Sequence, residues 1–327
     1  MTCTAVRGSR ILGIGAYRPA RAVGNDEVCA LIDSDSEWVR KRSGIVSRRF
    51  AAPDEDVVTM AARAAEQALD RAGVATSEVD VLLLATMSHL RQSPGAGPEV
   101  CDRLGIHAAA MDVNAACAGF CHALATADAL VRARTAEHVV VVGSERMTDI
   151  IDPYDRGTAF LFGDGAGAVV VGPAAEPGIH PVAWSSDGSR RDLVAHPMTW
   201  LDLRDKPDLE WPTMRMSGQE VFRWATTEVP ATAAAALELA GLTAADLTAF
   251  VPHQANLRIV DAMARRLQLP PHVVVARDVV TSGNTSAASI PLALERLTGS
   301  GSVDGGHALL VGFGAGLSQA AQVVGLP

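Results

Sequence analysis

The chain repeats itself once, and that duplication limits its fold more than any other feature. Ala68-Leu69-Asp70-Arg71-Ala72-Gly73-Val74 returns in pattern as Ala236-Leu237-Glu238-Leu239-Ala240-Gly241-Leu242, 168 positions later. In both copies an acidic residue follows (Glu78, Asp246), then a strand-like apolar run, residues 79–85 and 247–251. His138-Val139-Val140-Val141-Val142-Gly143 matches His307-Ala308-Leu309-Leu310-Val311-Gly312 at an offset of 169, and an opening strand over residues 11–17 has its counterpart in 179–184. Several matches in order at nearly one offset argue for two copies of one unit, divided here as residues 1–173 and 174–327. Each copy alternates apolar helices with short strands rich in Val and Leu, the pattern of α/β layers with strands buried on both faces. A helix is expected around residues 59–72, stopped by Gly73. Residues 118–131 are apolar almost all round, with Asp128 the main exception, so that helix belongs inside the protein. Residues 185–217 join the halves without a clear period, and a connection that long is usually a lid or a pocket wall.

Composition excludes several classes. With 327 residues, 48% apolar and 20% charged, the chain can bury large cores and is not a disordered one. No apolar run approaches the ~18 residues of a membrane span, and residues 1–10 lack the apolar core of an export signal. The 28 basic and 37 acidic residues give a net charge of −9, which argues against a general nucleic-acid binder. Basic residues still cluster at Arg40, Lys41, Arg42, Arg48 and Arg49. The cysteines are Cys3, Cys29, Cys101, Cys117 and Cys121, an odd number without a CxxC pair. A disulfide framework or cysteine zinc site is therefore not expected, and a reducing cytoplasm is.

The chemistry concentrates on three residues. Cys117 stands just before the buried helix, where unpaired backbone N–H groups and the helix dipole favour a thiolate; its bland reading is a small core cysteine. Cys121, one turn on, carries only the bland reading. Moving 168 positions on from Cys117 lands beside Asn284, in Gly283-Asn284-Thr285-Ser286, so both loops precede a helix of small residues. His253 follows the strand that ends at Val251. Taken singly, His253 reads as structural and Asn284 as a turn or cap residue. Two related halves packed face to face would aim all three at one space, giving a nucleophile and two donors.

The glycine-rich stretches divide. Gly163-Asp164-Gly165-Ala166-Gly167-Ala168 resembles a dinucleotide fingerprint but precedes a strand rather than a helix, so it cannot cradle phosphates. Gly312-Phe313-Gly314-Ala315-Gly316 follows a strand and is either a tight turn or a source of backbone N–H groups for a reacting carbonyl. Arg258, Arg265 and Arg266, on the helix after His253, read as a solvated face or as a docking patch for phosphate or an acidic partner.

Val113-Asn114-Ala115-Ala116-Cys117-Ala118-Gly119-Phe120, Phe162-Gly163-Asp164-Gly165-Ala166-Gly167-Ala168, Pro252-His253-Gln254-Ala255-Asn256 and Gly283-Asn284-Thr285-Ser286 together resemble the β-ketoacyl-acyl-carrier-protein synthase III family. The likeness runs over about residues 11–318 and takes in Ser36-Glu37-Trp38 and Met216-Ser217-Gly218-Gln219. It implies a thiolase-like fold, two duplicated α/β halves in five αβαβα layers, and a homodimer without a cofactor. It implies that an acyl-CoA starter acylates Cys117, and that His253 and Asn284 bind the thioester oxygen of malonyl-acyl-carrier protein as CO2 leaves. A neutral His253 is required, a state that an apolar tunnel favours. The backbone N–H groups of Cys117 and Gly316 match the family's oxyanion hole. Trp38 would stack on the CoA adenine with Arg42 and Arg156 nearby, and Arg258 would receive the carrier protein's phosphopantetheine region. Within the family, residues 117–124 and 144–152 are most similar to the priming ketosynthases of aromatic polyketide pathways. Ser93 stands where many members place a bulky Phe that reaches the partner subunit's acyl pocket, and the expectation is a pocket open to starters larger than acetyl.

Rival readings have specific marks against them. A biosynthetic thiolase needs a second cysteine late in the chain, and none follows Cys121. A type III polyketide synthase works from free CoA esters and lacks the HQAN form. An acyltransferase of the same fold, moving an acyl group without condensation, has no use for an enolate-stabilising pair. A catalytically dead binding subunit would not be expected to retain Cys117, His253 and Asn284 together.

Overall fold

Strand pairing reproduces the repeat element by element. The computed structural model describes residues 8–206 and 210–327, so Cys3 and most of the N-terminal stretch weighed as an export signal lie outside it. The first sheet contains β1 (Gly8–Tyr17), β2 (Val81–Ala85), β3 (Ala109–Val113), β4 (Val139–Arg146) and β5 (Asp164–Ala174), in the order β1-β5-β4-β2-β3. The second contains β6 (Ala183–Ser186), β7 (Leu247–Pro252), β8 (Val274–Val275), β9 (His307–Gly314) and β10 (Ser318–Gly325), in the order β6-β10-β9-β7-β8. The two orders are the same once the halves are superposed. So are the senses: β2 runs parallel to β3 and β4, as β7 does to β8 and β9. The remaining pairs are antiparallel in both sheets.

Four helices complete the layers. Helix α1 (Val57–Ala72) covers the outer face of the first sheet, and α3 (Val229–Ala240) covers that of the second. Helices α2 (Gly119–Arg132) and α4 (Ser289–Gly299) lie between the sheets. The result is the five-layer αβαβα stack. The period-two geometry of a strand explains why these sequences are apolar throughout. Leu83, Val139 and Val141 face the central helices, whereas Leu82, Leu84, Val140 and Val142 face α1. Asp56 caps α1 by accepting the Thr59 N–H at 2.7 Å, and Gly73 ends it at φ 65°. Among the described residues no helix is long and apolar enough to cross a membrane.

Two expectations about local structure shift. The counterpart of the opening strand is Ala183–Ser186; Ile179 joins the sheet only through an isolated bridge to Val324, because the register against the partner strand shifts between the pairing of Ile179 with Val324 and that of Ala183 with Ala321. The stretch 163–168 lies almost wholly within β5, where its small residues let α4 pack close. The connection between the halves carries short pieces: a 3-10 turn (Gly188–Leu193), Val194–Ala195 paired with Arg215–Met216, and a helix at Trp200–Asp205. Val194, Met214 and Met216 line the cavity described next, so this connection is a pocket wall.

Candidate active site

Each half enters its central helix through the same elbow, residues 114–119 in the first and 284–289 in the second. Both contain a 3-10 turn, Ala116–Ala118 and Ser286–Ala288. Both hold a non-glycine residue in the left-handed region, Ala116 at φ 46° and Ser286 at φ 47°, a strained conformation that clusters at functional turns. In each, an asparagine Oδ1 accepts the N–H two residues on: Asn114 from Ala116 (3.4 Å) and Asn284 from Ser286 (2.9 Å). The offset at the elbows is therefore 170, and the sequence expectation of Cys117 beside Asn284 is corrected: Asn114 corresponds to Asn284, and Cys117 to Ala287. The elbows pack reciprocally on the opposite lobes. A Cβ on Gly312 would come 3.1 Å from Ala118 Cα, and one on Gly143 would come 2.4 Å from the Ala287 carbonyl oxygen.

That cross-packing brings the three expected residues together. Cys117, His253 and Asn284 line one enclosed cavity of about 50 Å³, with Phe313, Gly314 and Ala315 among its other walls. The Asn284 backbone is clamped from both sides. It donates its N–H to the Leu161 carbonyl at 2.8 Å, and its carbonyl accepts the Gly163 N–H at 3.0 Å.

The hydrogen-bond network fixes what each side chain offers. Ser289 Oγ accepts the Gln254 N–H at 3.3 Å and lies 2.7 Å from His253 Nδ1, to which its O–H can donate. With Nδ1 an acceptor, the imidazole proton sits on Nε2. Asn284 Oδ1 is occupied by the Ser286 N–H, so its Nδ2 amide is the free donor. Two neutral N–H donors and one thiol therefore serve the same cavity.

Burial sets the protonation states. It pushes His253 down to about 3, so the ring is neutral at any physiological pH, as the expected donor role requires. It also pushes the Cys117 thiol up to about 12, with the Ser286 hydroxyl opposing and the buried Glu145 carboxylate adding to the rise. The thiolate expected from the helix dipole is outweighed by desolvation in the closed cavity. The His253 shift has a stability consequence. Its folded value lies below its unfolded value of about 6.5, so stability is complete above that pH and falls as pH drops from 6.5 towards 3. Urea melts of wild type and His253→Asn at pH 7.5 and 5.0 should show the wild type losing about 2 kcal/mol more than the variant. Equal losses would count against a buried neutral imidazole.

Comparison with known proteins agrees with this geometry. Residues 111–188 match the family described as 3-oxoacyl-[acyl-carrier-protein (ACP)] synthase III, and residues 237–326 match its C-terminal region. β-Ketoacyl-[acyl-carrier-protein] synthase III of Streptomyces lividans is 50% identical over 98% of this chain and 95% of its own length. That of Streptomyces glaucescens is 48% identical over 98% and 96%. The chain belongs to the β-ketoacyl-acyl-carrier-protein synthase III family. Among solved structures, the priming β-ketosynthase from the R1128 polyketide biosynthetic pathway superposes with a TM-score of 0.97 at 49% identity, covering 100% of this chain and 98% of the other. The fold is thus the thiolase-like fold of synthase III.

Of the remaining expected residues of this synthase III, Arg42, Arg258, Trp38 and Arg156 fall around the mouth. An outer cavity of about 250 Å³ shares Met216, Val221, Ala255 and Asn284 with the inner one, so the two form one passage. Arg42 and Arg258 line its outer part, and the Arg258 guanidinium lies 5.3 Å from the centre of the Phe222 ring. The Arg156 guanidinium sits 5.2 Å over Trp38, whose ring meets Phe160, a wall of the same passage, edge-on at 5.0 Å. Arg265 and Arg266 are exposed at the far end of their helix, and Arg266 borders a separate groove. The basic cluster divides likewise: Arg48 is buried and donates to Asn25 Oδ1 (2.9 Å) and the Phe160 carbonyl (2.7 Å), a structural tie rather than a docking charge. Gly316 is exposed and is not among the cavity walls; Gly314 and Ala315 stand there instead. The turn closes on the cysteine two residues earlier than expected, since a Cβ on Gly314 would lie 2.8 Å from Cys117 Cβ. Ser93 is exposed and is not among the cavity walls, which include Met87. Sequence reasoning missed Ser289, Phe313 and Glu145, because their partners are distant in sequence: Ser289 and Phe313 meet His253 within one lobe, and Glu145 meets Ser286 across the two.

Proposed function

We propose that this synthase III joins an acyl-CoA starter to malonyl-acyl-carrier protein by decarboxylative Claisen condensation, initiating polyketide or fatty-acid synthesis. Cys117 Sγ attacks the acyl-CoA carbonyl, and CoA leaves with the thiol proton, giving an acyl-cysteine. Malonyl-carrier protein then enters the passage, and its C–C bond to the carboxylate breaks as CO2 departs. The electron pair becomes an enolate, with its oxygen held by His253 Nε2–H and Asn284 Nδ2–H. The enolate carbon attacks the acyl-cysteine carbonyl, and the C–S bond breaks to release the β-ketoacyl-carrier product and a Cys117 thiolate, which takes up a proton from solvent to restore the thiol. Backbone N–H groups of Cys117 and, from its place in the wall, Ala315 rather than Gly316 would hold the tetrahedral oxyanion. The observation that carries this reading is the pair of uncharged N–H donors sharing a closed cavity with Cys117. Trp38, Arg156, Arg42 and Arg258 are assigned to the CoA and phosphopantetheine arms, since a basic, aromatic rim suits phosphate and adenine. No cofactor enters these steps. We place the enzyme in the cytoplasm, where its carrier protein and CoA substrates would be; the four described cysteines are free thiols.

We further propose a homodimer. The edge strand β3 leaves Met111 47% exposed, an unprotected edge of the kind that pairs with a second copy. The loop carrying Ser93 is tied to the same edge: Asp112 accepts the Ala96 and Gly97 N–H groups, each at 2.7 Å. A partner paired along β3 would therefore meet Ser93, whose small side chain leaves room for longer starters. Propionyl- to hexanoyl-CoA and branched acyl-CoA should be used at least as well as acetyl-CoA, and Ser93→Phe should reverse that preference by about tenfold or more. A wild type that turns over acetyl-CoA far faster than the longer esters would refute the open pocket.

The deciding assay combines purified protein, labelled acyl-CoA and malonyl-carrier protein, read by mass. A β-ketoacyl-carrier product with release of CO2 supports condensation. Transfer of the intact acyl group without CO2 release would instead make the protein an acyltransferase.

A further inference from the structure

The two elbows are equivalent in backbone, yet only one is left open to a substrate. At the first lobe's elbow, Gly314 of the second lobe faces the backbone of Cys117, where a Cβ would come 3.1 Å from its N atom. At the second lobe's elbow the equivalent of Gly314 is Glu145 of the first lobe, near the end of its strand. Its side chain fills that space. Glu145 Oε1 accepts the Ser286 hydroxyl at 2.9 Å and lies 3.4 Å from the N–H of Ala287, the counterpart of Cys117. An internal carboxylate thus occupies in one lobe the position that a developing oxyanion would take in the other.

The other carboxylate oxygen reaches a different part of the site. Oε2 accepts the Ser88 hydroxyl at 2.6 Å, the Thr86 hydroxyl at 3.1 Å, and the Met87 and Ser88 N–H groups at 3.1 Å each. Glu145 is wholly buried with no cation among these partners. Six donors from two segments hold it, one segment carrying Asn284 and the other carrying Met87, a wall of the reaction cavity.

We infer that Glu145 is a positioning residue for the condensation step, a built-in anion that fills the duplicated oxyanion site and so fixes the Asn284 elbow against the Met87 wall. The inference rests on the condensation reading. It acts on the half-reaction that uses Asn284, and not on the acylation of Cys117. Buried near Cys117, the carboxylate disfavours the thiolate, so its removal should leave loading no slower.

The test uses full-length Glu145→Gln, in which the amide turns a donor towards donors, with acyl loading and product formation followed separately by mass. Loading should stay at or above the wild-type rate while condensation falls about 100-fold, the cost of misplacing a reacting group by about 1 Å. Hydrogen exchange at the Ala287 amide should accelerate. Ser88→Ala keeps the carboxylate but removes its shortest tie, and should lower condensation several-fold with loading unchanged; it carries the test if Glu145→Gln does not fold. Condensation within threefold of wild type in both folded variants, or loading and condensation falling together, would overturn the inference. A wild type that loads but yields no β-ketoacyl product would instead overturn the condensation reading itself.

Discussion

Cys117→Ala, incubated with labelled acyl-CoA, should gain no mass, and its condensation should fall to the background of the reagents. The expectation follows from the cavity. Cys121, the nearest other cysteine, is fully buried between the sheets among Phe120, Leu124 and their neighbours, with its thiol also pushed up to about 12. It faces no cavity and cannot substitute. Removal of the nucleophile deletes both half-reactions, because the second needs the acyl-cysteine formed in the first. The substitution itself should be mild for stability: Cys117 is half-buried, and Ala fits a space that Gly314 leaves narrow. A labelled Cys117→Ala protein would mean that another residue is the nucleophile.

The second large effect separates the half-reactions. His253→Ala and Asn284→Ala should each load acyl groups at rates near wild type and lose decarboxylation by about 100- to 1000-fold, the usual cost of one oxyanion donor. The reason is geometric: each side chain brings a free N–H donor to the cavity, and an enolate oxygen needs both groups. The double variant should cost less than the product of the two singles, since groups acting on one oxygen are not independent. Carbon dioxide release from malonyl-carrier protein, measured without any acyl-CoA, reports this step alone. If either single variant lost loading and decarboxylation together, the residues would serve the thiol instead.

Ser289 adds a finer expectation of the same network. By donating to Nδ1 while accepting from the Gln254 backbone, its hydroxyl would fix the His253 tautomer. The donor on Nε2 is thus set by a residue of the same lobe, at the start of its elbow helix, one step past Ala288.

The sequence by itself determined the duplication, the fold class and the three side chains that the structure brings to one cavity. Repeated strand and helix patterns follow from local periodicity and turn chemistry, and these are written in consecutive residues. The motifs around Cys117, His253 and Asn284 could be found because each is short and contiguous. What the tertiary structure decided is everything that depends on which lobe meets which. An apparent offset of 168 becomes 170 at the elbows, so Asn284 answers Asn114 rather than Cys117. Gly316 gives way to Gly314 and Ala315 because the turn closes earlier than its glycines indicate. Arg48 leaves the basic patch for the interior. The cysteine that a helix dipole would ionise stays a thiol, since burial, a property of the packed whole, outweighs a local dipole. Ser289 and Glu145 carry no local signal at all: hydrogen-bond partners 36 and 141 positions away exist only after the chain has folded.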